Sequence, residues 1–359
     1  MSSVKDGDLM AGIEIRDYRG DFEDVAELVR RVWVPEYRGK TWVPILDAAF
    51  LRGRFTPQCG ALCPVAYDGT TLVGSVFSVA HSMRIGSSVF PIALYTAFTV
   101  DPDCRRLALP LIERLRRDNE ERGIAFGIGM VLDDPGSRSF RFWTKYAQAF
   151  PQNFRFLFRG GYWAKFLKPH ALARAGIQAW ERLASRALGP LLRLTPHGYD
   201  PHVRSYRAGD LERCAQMVDK ASAGFDWAMV WQPKQLSYQL ENPAYATLVF
   251  ERDGQVQGMV NYHCLSLQGR ETIRAALVDV WADDGLTGAE RVRLLSHLCT
   301  DLRERDVHAV IAPRSAMMPA AAFVANLFIP ATQHFRIGVF FTPRSVPLSP
   351  PKTWSVELT

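Results

Sequence analysis

The sequence predicts an α/β chain in which one module of about 150 residues, a usual domain size, occurs twice. Three alignments within the chain carry that prediction. "IRDYRGDFEDVAELV" from Ile15 lies over "VRSYRAGDLERCAQMV" from Val203 with one inserted residue, at an offset of 188. "DGTTLVGSV" from Asp68 parallels "DGQVQGMV" from Asp253, which sets Gly258 184 positions after Gly74. "ALYTAFTV" ending at Val100 matches "AALVDV" ending at Val280, 180 positions on.

Each landmark reads as an element. The first pair gives a short strand, a turn containing Asp and an amphipathic helix. The second gives a hairpin whose Asp-Gly marks the tight turn. The third gives an apolar strand followed by a helix with apolar residues at i, i+3, i+4 and i+7: Ala108, Leu111, Ile112 and Leu115 in one copy, Leu295, Leu298, Cys299 and Leu302 in the other. Next come the strands "IAFGIGMV" and "VHAVIAP", then helices carrying "SFRFWTKY" and "AAAFVANLF", in which Phe142 and Phe323 stand 181 apart. Between the copies, "HALARAGIQAWERLASRALG" has a helical pattern that the three prolines of "PLLRLTPHGYDP" end. The expected division is an N-terminal module over residues 1–167, a helical connector over 168–200 and a C-terminal module over 201–359, with a proline-rich, then extended, tail.

A chain of 359 residues with 48% hydrophobic content suits two ordinary cores better than one. Its apolar runs are too short for a membrane span and its N-terminus has no signal-type segment, so a soluble, cytoplasmic protein is expected. The cysteines at 59, 63, 104, 214, 264 and 299 lack metal-ligand spacing and read as free thiols, with no metal expected. There is no G-x-S-x-G elbow and no Walker loop. A net charge of +6 with a pI near 9.0 suits an anionic partner: coenzyme A, an acidic acyl carrier protein or RNA.

In "VDPDCRRLALPLIERL", after the strand ending at Val100, a short basic turn opens a helix. Helix amides and dipole favour a phosphate there. The turn is glycine-poor, and Arg105 and Arg106 supply the charge. In the second copy, Asp283 and Asp284 of "DDGLTGAERVRLL" stand where phosphates would sit and repel them.

The order of elements resembles the GNAT acyltransferase fold, and the tandem arrangement is similar to N-myristoyltransferases, which carry R-L-A-P where this chain has "RLALP". The resemblance implies two modules in pseudo-twofold tandem, each a mixed central sheet flanked by helices. It implies an acyltransferase moving an acyl group from acyl-CoA, or a carrier-protein thioester, to a small-molecule or peptide amine, with acyl-CoA as a donor substrate and no permanent cofactor. The donor site falls in the N-terminal module, on Phe98, Thr99, Val100, Arg105, Arg106, Leu107 and Ala108. The family helix motif, whose Tyr often protonates the leaving thiolate, is matched by "SFRFWTKY" with Trp143 in the tyrosine's place and Tyr146 three residues on. An indole donates a hydrogen bond but is no acid at neutral pH. Candidate catalytic groups are His81 and Tyr95, Tyr146, and the carboxylate of Thr359, since N-myristoyltransferases use their C-terminal carboxylate as base. His263 and Asp279 are the approximate counterparts of His81 and Tyr95. Two other readings stand beside this one: a Fem-like transferase using aminoacyl-tRNA, and a non-catalytic module that binds an acyl-thioester or carrier protein.

Overall fold

The repeat is realised as two sets of elements in the same order. The computed structural model describes residues 12–55, 60–187 and 198–356. The first set runs β1 (Ile13–Asp17), α1 (Glu23–Tyr37), β2 (Val43–Ile45), α2 (Ala48–Arg54), β3 (Pro64–Asp68), β4 (Thr71–Ile85), β5 (Ser88–Val100), a 3₁₀ turn (Pro102–Leu107), α3 (Ala108–Glu121), β6 (Phe126–Leu132), α4 (Arg138–Ala149) and β7 (Phe154–Phe166). Two short helices follow, α5 (Pro169–Ala175) and α6 (Ala179–Ala187). The second set runs β8 (Val203–Ser205), α7 (Leu211–Ser222), β9 (Trp227–Val230), α8 (Pro233–Glu241), β10 (Tyr245–Arg252), β11 (Gln255–Gln268), β12 (Thr272–Asp283), α9 (Gly288–Glu304), β13 (Ala309–Pro313), α10 (Ala320–Ala325) and β14 (Ile329–Phe341). A short β15 (Trp354–Ser355) belongs to the tail.

Local chemistry accounts for the elements that frame the site. Asp253 and Gly254 both take positive φ, 53° and 73°, as a two-residue primed turn requires. The apolar stripes on α3 and α9 are buried as the helical spacing predicts. Gly74 and Gly258 do the same work in both copies: a Cβ would come within 2.7 Å of the Leu111 side chain in one and 2.4 Å of the Leu286 side chain in the other, so any larger residue would force that leucine to move.

The sheet order is β1-β3-β4-β5-β6-β14-β7-β13-β12-β11-β10-β8. The last strand of each repeat has therefore changed places with the other. β14 lies antiparallel on β6, with Val339 opposite Ile128, and β7 lies antiparallel on β13, with Ala164 opposite Ile311. The clasp is repeated at the front: β2 pairs with β11 and β9 pairs with β4. The boundary expected at residue 167 separates the sequence repeats, while hydrogen bonding runs across it. Without the exchanged strand, the edges of β6 and β13 would be open. The tail adds to the seam, β15 running parallel to β9, with Trp354 buried against Phe158 and Phe335. Among the described residues no helix is long and apolar enough to cross a membrane, and Cys63, Cys104, Cys214, Cys264 and Cys299 are free. Cys59 lies outside the described residues.

Candidate functional site

The central strands of the first module stop pairing partway along. β5 and β6 are parallel partners from Ile92 opposite Phe126 to Tyr95 opposite Gly129, and there the ladder ends. At the same point the register between β4 and β5 shifts, between Ser75 and Phe77, and Ala97 takes a φ of 51°. A bulge of this kind bends a strand and leaves part of its backbone unpaired. A cavity of about 680 Å³ opens in the gap, between Thr96–Val100 on β5 and Met130–Leu132 on β6.

The backbone facing this gap can be assigned by alternation. The N–H of Asp101 bonds to the carbonyl of Val73 at 2.8 Å, on the β4 side. Amides of a strand alternate, so Thr99 also directs its N–H to β4, while Phe98 and Val100 direct theirs to the open side. Thr99 contributes differently. Its hydroxyl is buried in the cavity wall with no hydrogen-bond partner among the described residues, and a buried hydroxyl without a partner marks a place where a ligand or water belongs.

Cations ring the mouth. Arg105, Arg141 and Lys145 line the cavity, are exposed, and have no carboxylate partner among the described residues. Arg138, Arg141 and Lys145 follow one another at helical spacing on α4 and share a face. Arg138 is already engaged, its Nε 3.2 Å from Glu36 Oε2 and its backbone N–H donating to Glu36 Oε1 at 2.8 Å. The turn after Val100 is less available than expected. Asp101 accepts from the N–H of Asp103 at 3.1 Å and pairs with Arg31 at 3.2 Å, so a carboxylate of the chain itself occupies the start of the 3₁₀ turn.

Of the residues expected at the donor site, Phe98, Thr99, Val100, Arg105 and Ala108 line the cavity. Arg106 points to solvent, and Leu107 is buried beneath α3 in the hydrophobic core. Of the catalytic candidates among the described residues, only Tyr95 lines it. The Tyr95 hydroxyl accepts from Asn119 Nδ2 at 3.1 Å, and burial pushes its pKa well above the usual phenol range. Tyr146 faces away, donating to Glu113 Oε1 at 3.4 Å; burial, with the Glu113 carboxylate, pushes it up to about 12. His81 lies opposite Ile92, five residues before Ala97, or about 17 Å along the strand at roughly 3.3 Å per residue. It packs edge-on against Trp231, and burial, aided by Arg54, holds its pKa down to about 3. Thr359 lies outside the described residues. Trp143 is core as well as wall, its ring 5.1 Å from Phe98 and 5.2 Å from Phe340.

The cations on α4 and the α1 residues Glu36 and Tyr37 were not among the expected site residues. The α4 charges are visible in "RSFRFWTKY" as a stripe at i, i+3 and i+7; which face of the helix meets the sheet is not. Burial pushes the Tyr37 phenol up to about 12.

Comparison with known proteins agrees with this architecture. No family model matches the chain, and no curated protein matches it by sequence. Solved structures do match. Saccharomyces cerevisiae N-myristoyltransferase with bound myristoyl-CoA superimposes with a TM-score of 0.76 at 12% identity, over 97% of this chain and 86% of that one. A second structure of that enzyme with myristoyl-CoA gives 0.74 at 12% identity over 95% and 80%, and one that also holds inhibitors gives 0.74 at 11% over 99% and 88%. The chain has the tandem GNAT-type fold of N-myristoyltransferase.

Proposed function

We propose that the chain is an acyltransferase that moves an acyl group from acyl-CoA to an amine by direct attack on the thioester. The observation that carries this reading is the unpaired end of β5. It offers the amides of Phe98 and Val100 to a gap whose mouth carries Arg105, Arg141 and Lys145, which have no carboxylate partners among the described residues. The amides suit a carbonyl oxygen that gains charge in the transition state, where a fixed donor is worth most. The cations suit the phosphates of the nucleotide, and the apolar floor of Ile112, Leu115, Ile128 and Phe340 suits an acyl chain. The likeness to a protein crystallised with myristoyl-CoA supports the same donor class.

The chemistry asks little more of the donor side. A neutral amine attacks the thioester carbon, the N–C bond forms, the C–S bond breaks, and the thiolate leaves with the amine's proton. A thiolate is a good leaving group, so Trp143 in the place of an acidic tyrosine is compatible with turnover. The acceptor is a small-molecule or peptide amine entering between the modules.

The test is the melting midpoint with coenzyme A and with acyl-CoAs of increasing chain length, since a ligand that binds only the folded chain raises the midpoint by mass action. We expect a rise that Arg141→Ala/Lys145→Ala reduces strongly while the ligand-free midpoint stays put. No rise with any acyl-CoA would overturn the reading. It would favour a carrier-protein donor, a non-catalytic module, or an aminoacyl-tRNA donor with its steep salt dependence.

A further inference from the structure

Among the described residues, the lining of the donor cavity offers no free base. Glu36 is tied to Arg138, burial pushes Tyr37 and Tyr95 up, and His81 lies far along β4. Across the seam, the second module holds a carboxylate–imidazole pair that the donor side does not use. His263 Nδ1 on β11 is 2.7 Å from Asp279 Oδ2 on β12, and both side chains are 1% exposed. His263 Nε2 is buried and has no partner among the described residues. Burying a carboxylate against an imidazole and leaving the second ring nitrogen unsatisfied is unfavourable for stability alone. It is the arrangement of a base: the carboxylate fixes the tautomer and ring, and the far nitrogen takes a proton.

The position of the pair fits that task. Asp279 sits where the register between β11 and β12 shifts, the counterpart of the Ala97 bulge. Leu265, two residues along β11 and so on the same face as His263, lines the donor cavity. On the other side, the His263 ring stacks on Phe50 at 4.9 Å, and Leu46, four residues before Phe50, also lines the cavity. Tyr245 meets the ring edge-on at 5.4 Å, and its hydroxyl accepts from Arg54 Nη1 at 3.4 Å. His263 thus stands behind the wall that the second module contributes to the donor cavity. The groups facing it are Asp279 from β12, Tyr245 from β10 and Phe50 from α2.

We infer that His263, oriented by Asp279, is the general base for the acceptor amine, an inference that rests on the acyl-transfer reading above. The ammonium form of the acceptor gives one proton to His263 Nε2, and Asp279 stabilises the imidazolium. The neutral nitrogen attacks the thioester; its remaining excess proton leaves with the thiolate as the C–S bond breaks, and the imidazolium returns its proton to water.

The test uses the whole chain, the acyl-CoA that most raises its midpoint, and two acceptors of one shape: a dipeptide amide with a free α-amine and its aminooxy analogue, whose nitrogen is already neutral near pH 7. For His263→Gln, which can still donate to Asp279, kcat/KM should fall about a hundredfold or more with the amine, the usual size of a general-base contribution, and less than about tenfold with the aminooxy acceptor. Asp279→Asn should show the same split more weakly, and it carries the comparison if His263→Gln lowers the midpoint. Donor binding should be unchanged in both. Equal losses with the two acceptors would reduce the pair to a structural role, and no loss would overturn the inference while leaving the acyl-transfer reading standing. A wild-type chain that binds no acyl-CoA would overturn that reading itself.

Discussion

The two copies build the same gap and treat it in opposite ways. In the second module the parallel pairing of β12 and β13 also ends early, covering only Ala275–Leu277 against Ala309–Ile311, and the neighbouring ladder is also shifted, between Asn261 and Tyr262. There the space is occupied. Trp281 is 1% exposed, lies 6.3 Å from Phe323, and packs in one core cluster with Leu294 and Leu298. Its Nε1 donates to Asp283 at 2.9 Å, and Asp283 is held by Arg291 at 2.7 Å. Asp284 pairs with Arg213 and Lys220. The start of α9 is closed by a reciprocal cap, Thr287 with Glu290. The first module has alanine at its bulge, a helix α3 without a side-chain cap, and in Arg105, Arg141 and Lys145 cations without carboxylate partners among the described residues. A bulge and an early end to strand pairing are properties of the fold; an open gap with spare positive charge is a property of the side chains.

The largest expected effect comes from removing the plug. Trp281→Ala should cost about 3–5 kcal/mol in urea denaturation, the usual range for an aromatic lost from a packed core. The new space should still bind no second donor, because Asp283, Asp284 and Glu290 remain at its mouth. Calorimetric titration should therefore count one equivalent of acyl-CoA per chain, and two would break the comparison.

The counterpart histidines give the next effect. His263 has Asp279 on one nitrogen, while His81 has no hydrogen-bond partner on either among the described residues. With its folded pKa near 3 against an ordinary 6.5, His81 is neutral in the fold and takes up a proton on unfolding. The unfolded chain binds more protons below pH 6.5, so stability is full above that value and declines as pH falls toward 3. The slope approaches about 1.4 kcal/mol per pH unit, or about 2 kcal/mol by pH 5. His81→Leu should flatten the midpoint-against-pH curve in that window, and an unchanged curve would show that His81 is not the group responsible. Narrowing the open gap should act on the ligand instead: Ala108→Phe should weaken acyl-CoA binding about tenfold with a smaller change in midpoint.

Much of the frame was legible because duplication writes it twice. The hairpin glycines, the α3 and α9 stripes and the strand ending at Val100 each have a partner about 180 residues away. The exchange of β7 and β14 left no trace, since a strand's pattern records that it is buried but not beside whom. The site was half legible. Phe98, Val100 and Arg105 follow from position relative to the strand end, whereas Arg141 and Lys145 depend on how α4 is turned, and the capture of Asp101 by Arg31 depends on a contact 70 residues apart. The distance of His81 from the gap was not legible for a related reason. The strand period assigns a face but not a distance from the bulge, and β4 is 15 residues long.

The smallest effect separates Tyr95 as wall from Tyr95 as catalyst. Its hydroxyl accepts from Asn119, whose amide also bonds Leu115 O at 3.0 Å and Ser78 Oγ at 3.2 Å, so Asn119 keeps two partners if the hydroxyl is removed. The ring rests on Phe340 at 4.6 Å and fills the space over Gly127, where a Cβ would come within 2.6 Å of it. Tyr95→Phe retains the ring and both of those contacts. It should cost about 0.5–1.5 kcal/mol, the net worth of one hydrogen bond, and change kcat/KM by less than about threefold. A loss of a hundredfold with the midpoint preserved would instead give the phenol a part in the chemistry. It would also weaken the division of labour between the modules, because the first would then hold both the oxyanion amides and a proton-transfer group.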